Sequence, residues 1–149
     1  MEAHVYRIRG ATEVRFRPEI EVQIFQLRRP VLAEFLLQAG VSLETQADTG
    51  QTALHWAVIG GHVDTIKLLL DRGAPLEAKN SYGATPLGQA LWSALHAADQ
   101  VDYLPVIETL LKAGAKIEAG TLSWITQQPA SSLIKQRIAK VLERHGLKS

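Results

Sequence analysis

The chain has 149 residues, 46% hydrophobic and 21% charged, with no cysteine and a formal net charge of +1. That size and composition suit one globular domain with its own core, and they exclude disulfides, thiolate chemistry and cysteine-bound metal. No stretch reaches the ~18 uninterrupted apolar residues of a membrane span, and the opening MEAHVYRIRG lacks the apolar core of a secretory signal, so a cytoplasmic location is expected.

In chain order, the first signal is a pair of alternating segments, VYRIR (5–9) and EVRFR (13–17), on either side of Gly10-Ala11. Such a pattern reads as a short β-hairpin, able to cover the first helix pair or to offer an edge to another chain. The other reading is the tail of a protein cut from a longer one.

Beyond residue 18 the sequence restates itself. LLQAGVSLE (36–44), LLDRGAPLE (69–77) and LKAGAKIE (111–118) share a frame, and VLERHG (141–146) is a degenerate fourth copy. Gly40 to Gly73 is 33 residues, as is Thr52 to Thr85; Gly73 to Gly114 is 41, so the third unit carries eight extra residues. Each unit reads as two short helices and an extended connector. Thr52 is placed to cap a first helix whose inner stripe is Ala53, Leu54, Ala57 and Val58. Gly60-Gly61 ends it. A second helix follows, with Val63, Ile66, Leu69 and Leu70 at helical spacing, Gly73 as a left-handed cap and Pro75 barring continuation.

Thr52, Leu54, His55 and Ala57, followed by Gly61-His62 and by Leu-Leu-x-x-Gly-Ala, resemble the ankyrin repeat family, whose unit is about 33 residues with a T-P-L-H-x-A signature. The resemblance spans about residues 18–146 and implies L-shaped units, each a helix pair with a projecting finger, stacked so that neighbours bury faces that no unit buries alone. The expected fold is an all-α solenoid with finger-like hairpins: an N-terminal extension (1–17), a capping unit (18–47), a repeat (48–80), a repeat with the insertion (81–120) and a C-terminal cap (121–149). Residues 19–40 lack the threonine motif, with Glu19 at its place and Pro30 opening the second helix, which suits an N-terminal cap. Only TLSWITQQ, three residues after Glu118, stands where a full finger would precede the last pair, and Glu143 replaces Leu70, as a polar outer face requires.

In such repeats the histidine braces the capping threonine and nearby backbone, so His55 fills the role and Gly88, its counterpart, cannot. The resemblance also implies that partners occupy a concave surface made of finger tips and first-helix ends. Position by position, these are Asp48, Thr49 and Gln51, then Ser81, Tyr82 and Ala84, with Ile59 and Trp92 at the helix ends. The insertion, QALWSALHAADQVDYLP, reads as a first helix lengthened by about two turns, a ridge carrying Trp92, His96, Asp99 and Tyr103. The alternative is a helix extended to pack on its own repeat through Leu91 and Leu95. Trp56 and Trp124 are expected in the inter-repeat core and at the C-terminal closure.

His96 and Asp99 lack a third ligand, and no nucleophile elbow, phosphate loop or helical Glu–His pairing occurs. The reading is therefore non-enzymatic, without cofactor or metal: an adaptor or inhibitor that binds another protein, as a monomer or weak dimer. Trp92, Tyr82 and Tyr103 would be its anchors, beside His96, and Asp48, Thr49, Gln51 and Ser81 its polar complement. Two rivals stand beside it. One is a homo-oligomer joined through the N-terminal strands. The other is nucleic-acid contact through residues 130–149, which hold five cations (Lys135, Arg137, Lys140, Arg144, Lys148) against Glu143 alone. The bland account of those cations is favourable placement near a helix C-terminus, and the nine acidic side chains of residues 36–129 weigh against nucleic acid. The compactness and the style of the insertion suggest a bacterial protein.

Overall fold

The computed structural model describes residues 4–6, 14–16, 30–38, 40, 42–47, 49–97 and 101–146. Among them lie two strands, β1 (His4–Tyr6) and β2 (Val14–Phe16), and seven helices: α1 (Pro30–Gln38), α2 (Ala53–Gly60), α3 (Val63–Asp71), α4 (Pro86–His96), α5 (Leu104–Lys112), α6 (Thr121–Gln127) and α7 (Ser132–Arg144). β1 and β2 pair antiparallel, His4 opposite Phe16 and Tyr6 opposite Val14. The turn expected at Gly10-Ala11, the first helix of the N-terminal cap with Glu19, and Asp48 and Asp99 lie outside the described residues.

The helices form two rows. α2 pairs with α3, α4 with α5 and α6 with α7, while α4 lies on α2 and α1, α3, α5 and α7 follow one another along the second row. The 33-residue period puts like against like. Leu54 and Leu87, Ala57 and Ala90, and Val58 and Leu91 are equivalent pairs, and all are buried. The alanines at the contact let the first-row helices approach closely. In the second row Leu36, Leu69, Leu110 and Leu142 are all fully buried, each four residues before a glycine of the shared frame. Full burial of a leucine contributes about 2 kcal/mol, so this one spine is a large share of a marginal total.

The second helices stop in the same way. Gly73 (φ +84°) and Gly114 (φ +99°) adopt the left-handed conformation that a side chain disfavours, which lets the chain turn back over the helix end. Gly73 N–H donates to Leu70 O and Ala74 N–H to Leu69 O, both at 3.0 Å; Gly114 and Ala115 repeat this on Leu111 and Leu110 at 3.0 and 3.1 Å. Glu143, at the place of Leu70, is exposed.

The insertion differs from its expected form. α4 has 11 residues against the 8 of α2, so the first helix gains about one turn rather than two. Ala97 then turns into extended backbone (φ −66°, ψ 133°). Residues 101–103 return to the preceding repeat instead of raising a ridge. Tyr103 is only 8% exposed, and its hydroxyl donates to Ile59 O at 2.8 Å. Tyr103 is thus an internal brace and not a displayed anchor, because its ring is buried and its hydroxyl is committed to the Ile59 carbonyl. Val101 covers Gly61, where a Cβ would come within 2.7 Å of Val101 Cγ1.

Candidate functional site

The local order begins at the first-helix caps. Thr52 Oγ1 accepts from His55 N–H, and His55 Nδ1 accepts from Thr52 N–H at 3.3 Å, closing a capping box. Nδ1 therefore carries the lone pair, and the opposite nitrogen carries the hydrogen: Nε2–H donates to Ala84 O at 2.9 Å, in the next finger. One imidazole thus ties a helix cap to the neighbouring unit. It is fully buried, and that burial pushes its pKa down, partly opposed by the bond to Ala84.

The next unit repeats the cap but not the brace. Thr85 Oγ1 accepts from Gly88 N–H at 3.2 Å, and no side chain extends from position 88. The finger that should follow is also cut short, with Thr121 only three positions after Glu118. Gly120, at φ +84°, occupies the cap of α6, and the Thr121 hydroxyl folds back to donate to Glu118 O at 2.6 Å instead of capping. The missing ring and the missing finger together leave an open cleft of about 720 Å³.

Its walls come from three elements. The finger supplies Asn80, Tyr82 and Ala84; α4 supplies Gly88, Gln89 and Trp92; the shortened connector and α6 supply Glu118, Gly120 and Trp124. Tyr82 is 80% exposed and Trp92 50%, high values for rings of this size. Trp92 is held by His96, whose ring stacks on it at a centroid distance of 3.7 Å while Nδ1–H donates to Trp92 O at 2.9 Å. Asn80 shapes the finger, its Oδ1 accepting from Tyr82 N–H and Ala84 N–H, both at 3.0 Å. This Asx turn presents Tyr82 outward.

The other expected tip residues fare unevenly. Thr49 and Ser81 are exposed and adjacent, Ser81 N–H donating to Thr49 O at 3.0 Å across two fingers. Gln51 is a correction: it is 8% exposed, and its Oε1 accepts from the Thr49 hydroxyl at 3.2 Å, so it shapes its own finger rather than facing a partner. Trp124, expected as core closure, does pack against the core and is half-buried, and it also lines the cleft. The clue in the sequence to its second role was the short connector opposite Gly88.

The ankyrin repeat model, in three copies, matches residues 26–121, well over half of the chain. The chain belongs to the ankyrin repeat family. Ankyrin stacks are protein–protein interaction modules. Similar curated proteins include mouse palmitoyltransferase ZDHHC13, 36% identical over 55% of this chain and 13% of that protein. A Caenorhabditis elegans homologue of transient receptor potential cation channel subfamily A member 1 is 42% identical over 50% of this chain and 6% of its own length. Mouse protein phosphatase 1 regulatory subunit 27 is 31% identical over 59% of this chain and 52% of its own length. The chain thus spans from a small fraction to about half of the relatives it matches. These relatives are animal proteins and give the bacterial expectation no support.

The ankyrin helices also account for most of the basic C-terminal segment. Arg144 pairs with Glu108 at 3.1 Å and Arg137 with Asp102 at 3.8 Å, while Lys135 Nζ donates to Thr126 O at 3.0 Å. The Arg144–Glu108 pair bridges consecutive second-row units, as Arg72–Glu34 does at 2.6 Å nearer the N-terminal end. Glu34 has its pKa lowered, first by the Arg72 hydrogen bond and then by Gln38. Among the described residues no helix is long and apolar enough to cross a membrane, and no cluster of metal-ligating side chains occurs.

Proposed function

We propose that this ankyrin stack is a non-enzymatic adaptor or inhibitor that grips a partner protein with its fingers and first-helix ends. The observation that carries the reading is that Tyr82 and Trp92, the two most exposed aromatic rings among the described residues, line one cleft. Large rings kept in water at a prebuilt concavity are what binding hot spots are made of, and a stiff stack loses little ordering entropy on association. A relative named as a phosphatase regulatory subunit carries a matching stack over about half its length, which supports a regulatory, non-catalytic role. The nine acidic side chains of residues 36–129 oppose a polyanion along the stack, so nucleic acid is not part of the proposal.

The test is affinity capture of a partner from source cells, followed by titration with the Tyr82→Ala/Trp92→Ala double variant. The expected result is affinity reduced by about 100-fold or more with folding intact, since both rings are exposed. Unchanged affinity removes this surface from the reading.

A further inference from the structure

We propose that the Gly88 cleft is a receptor for an arginine side chain of the partner; this deepens the binding reading above and rests on it. The cleft is walled by three aromatic rings, Tyr82, Trp92 and Trp124, and the only charge in its lining is the Glu118 carboxylate. No cation lines it. A guanidinium stacks on the faces of tryptophan and tyrosine and takes a carboxylate in a forked pair, so one planar cation meets both features. Gln89 also lines the cleft, its Nε2 donating to Ser93 Oγ at 3.3 Å, and its amide carbonyl is a second oxygen acceptor among the lining groups.

Two facts bear on the electrostatics. Glu118 pairs with Lys79 at 3.3 Å, but both side chains are more than half exposed, and a pair of that kind is exchanged at little cost. An arginine therefore displaces a weak surface partner rather than breaking a buried one. The absence of an imidazole at position 88 is what leaves the room. A Cβ there would meet Ala84 Cβ and Thr85 Oγ1, both at 3.6 Å, which is ordinary van der Waals contact. Gly88→His therefore starts from a Cβ that has room and serves as a plug, with the amide spectrum checking that the stack is kept.

The experiment titrates the full chain with N-acetyl-arginine amide, following the Trp92 and Trp124 indole N–H signals by NMR. The neutral isostere N-acetyl-citrulline amide and N-acetyl-trimethyllysine amide serve as comparisons. Saturable shifts at both indoles with arginine, and affinity about tenfold or more weaker for citrulline, are expected. Glu118→Gln and Gly88→His should each weaken arginine binding by a similar factor with the amide spectrum otherwise preserved. Equal response to citrulline, no response to arginine, or tighter binding of trimethyllysine overturns the assignment. Failure here while Tyr82→Ala/Trp92→Ala still abolishes partner capture leaves the interaction surface standing and removes only the arginine.

Discussion

His55 illustrates how one side chain can hold two units together. Its ring joins the Thr52 cap to the Ala84 carbonyl, and it does so only as the neutral tautomer, because Nδ1 must keep its lone pair. Protonation would turn that acceptor into a donor facing the Thr52 N–H. The folded pKa lies below the usual histidine value, so the unfolded chain binds the proton more readily. Stability is accordingly full above about pH 6.5 and is lost as pH falls through the depressed folded pKa. Urea midpoints measured from pH 8 to pH 5 should fall on the acid side, and this component should vanish in His55→Ala. That variant should itself lose about 2–3 kcal/mol at neutral pH, since it empties a buried site and removes the acceptor of the buried Thr52 N–H. Tyr103 is a second brace at this scale. Tyr103→Phe keeps the ring and removes the bond to Ile59 O, and should cost about 1 kcal/mol while speeding amide exchange in residues 101–103.

At the scale of elements, α2 and α4 form a natural comparison, with equivalent caps and equivalent buried stripes but His55 against Gly88. Glycine inside a helix costs about 1 kcal/mol relative to alanine because the unfolded chain has more freedom to lose. Position 88 has an ordinary helical backbone and room for a Cβ in ordinary van der Waals contact with Ala84 and Thr85. Gly88→Ala should therefore raise stability by about 0.5–1 kcal/mol, read as a higher urea midpoint at unchanged slope. A natural chain that forgoes this gain at a cleft wall is consistent with the room having a use. The insertion teaches the reverse lesson. Eight extra residues in one unit gave α4 about one more turn, and residues 101–103 returned to Gly61 and Ile59, because the Tyr103 ring is better buried than displayed and its hydroxyl finds the Ile59 carbonyl.

Over the whole molecule, a stack of this kind is stable as a sum of units and nearest-neighbour interfaces. The interface between the first two full units has the His55–Ala84 tie; the one between the second unit and the C-terminal cap lacks its counterpart and encloses the cleft. Unfolding should therefore begin at the C-terminal end. Fluorescence of a chain retaining only Trp124 should change at lower urea than one retaining only Trp56, and Gly88→His should bring the two transitions together. Coincident transitions in the unmodified Gly88 background would place the two interfaces at equal strength.

Much of this architecture was legible in the sequence. The 33-residue spacing, the capping threonines and the four framed glycines specify helix pairs and their stops through local backbone preference and hydrophobic period, which need no knowledge of distant contacts. Tyr82 and Trp92 could be placed on a finger and a helix end by register alone. Tertiary structure decided what register cannot express: which rings find a partner. Tyr103 and Gln51 turned inward because a carbonyl and a hydroxyl stood within reach, and Trp124 was left beside open space because a histidine and a finger were both missing opposite it. Burial depends on what lies across a gap, and that is settled only when separate units meet.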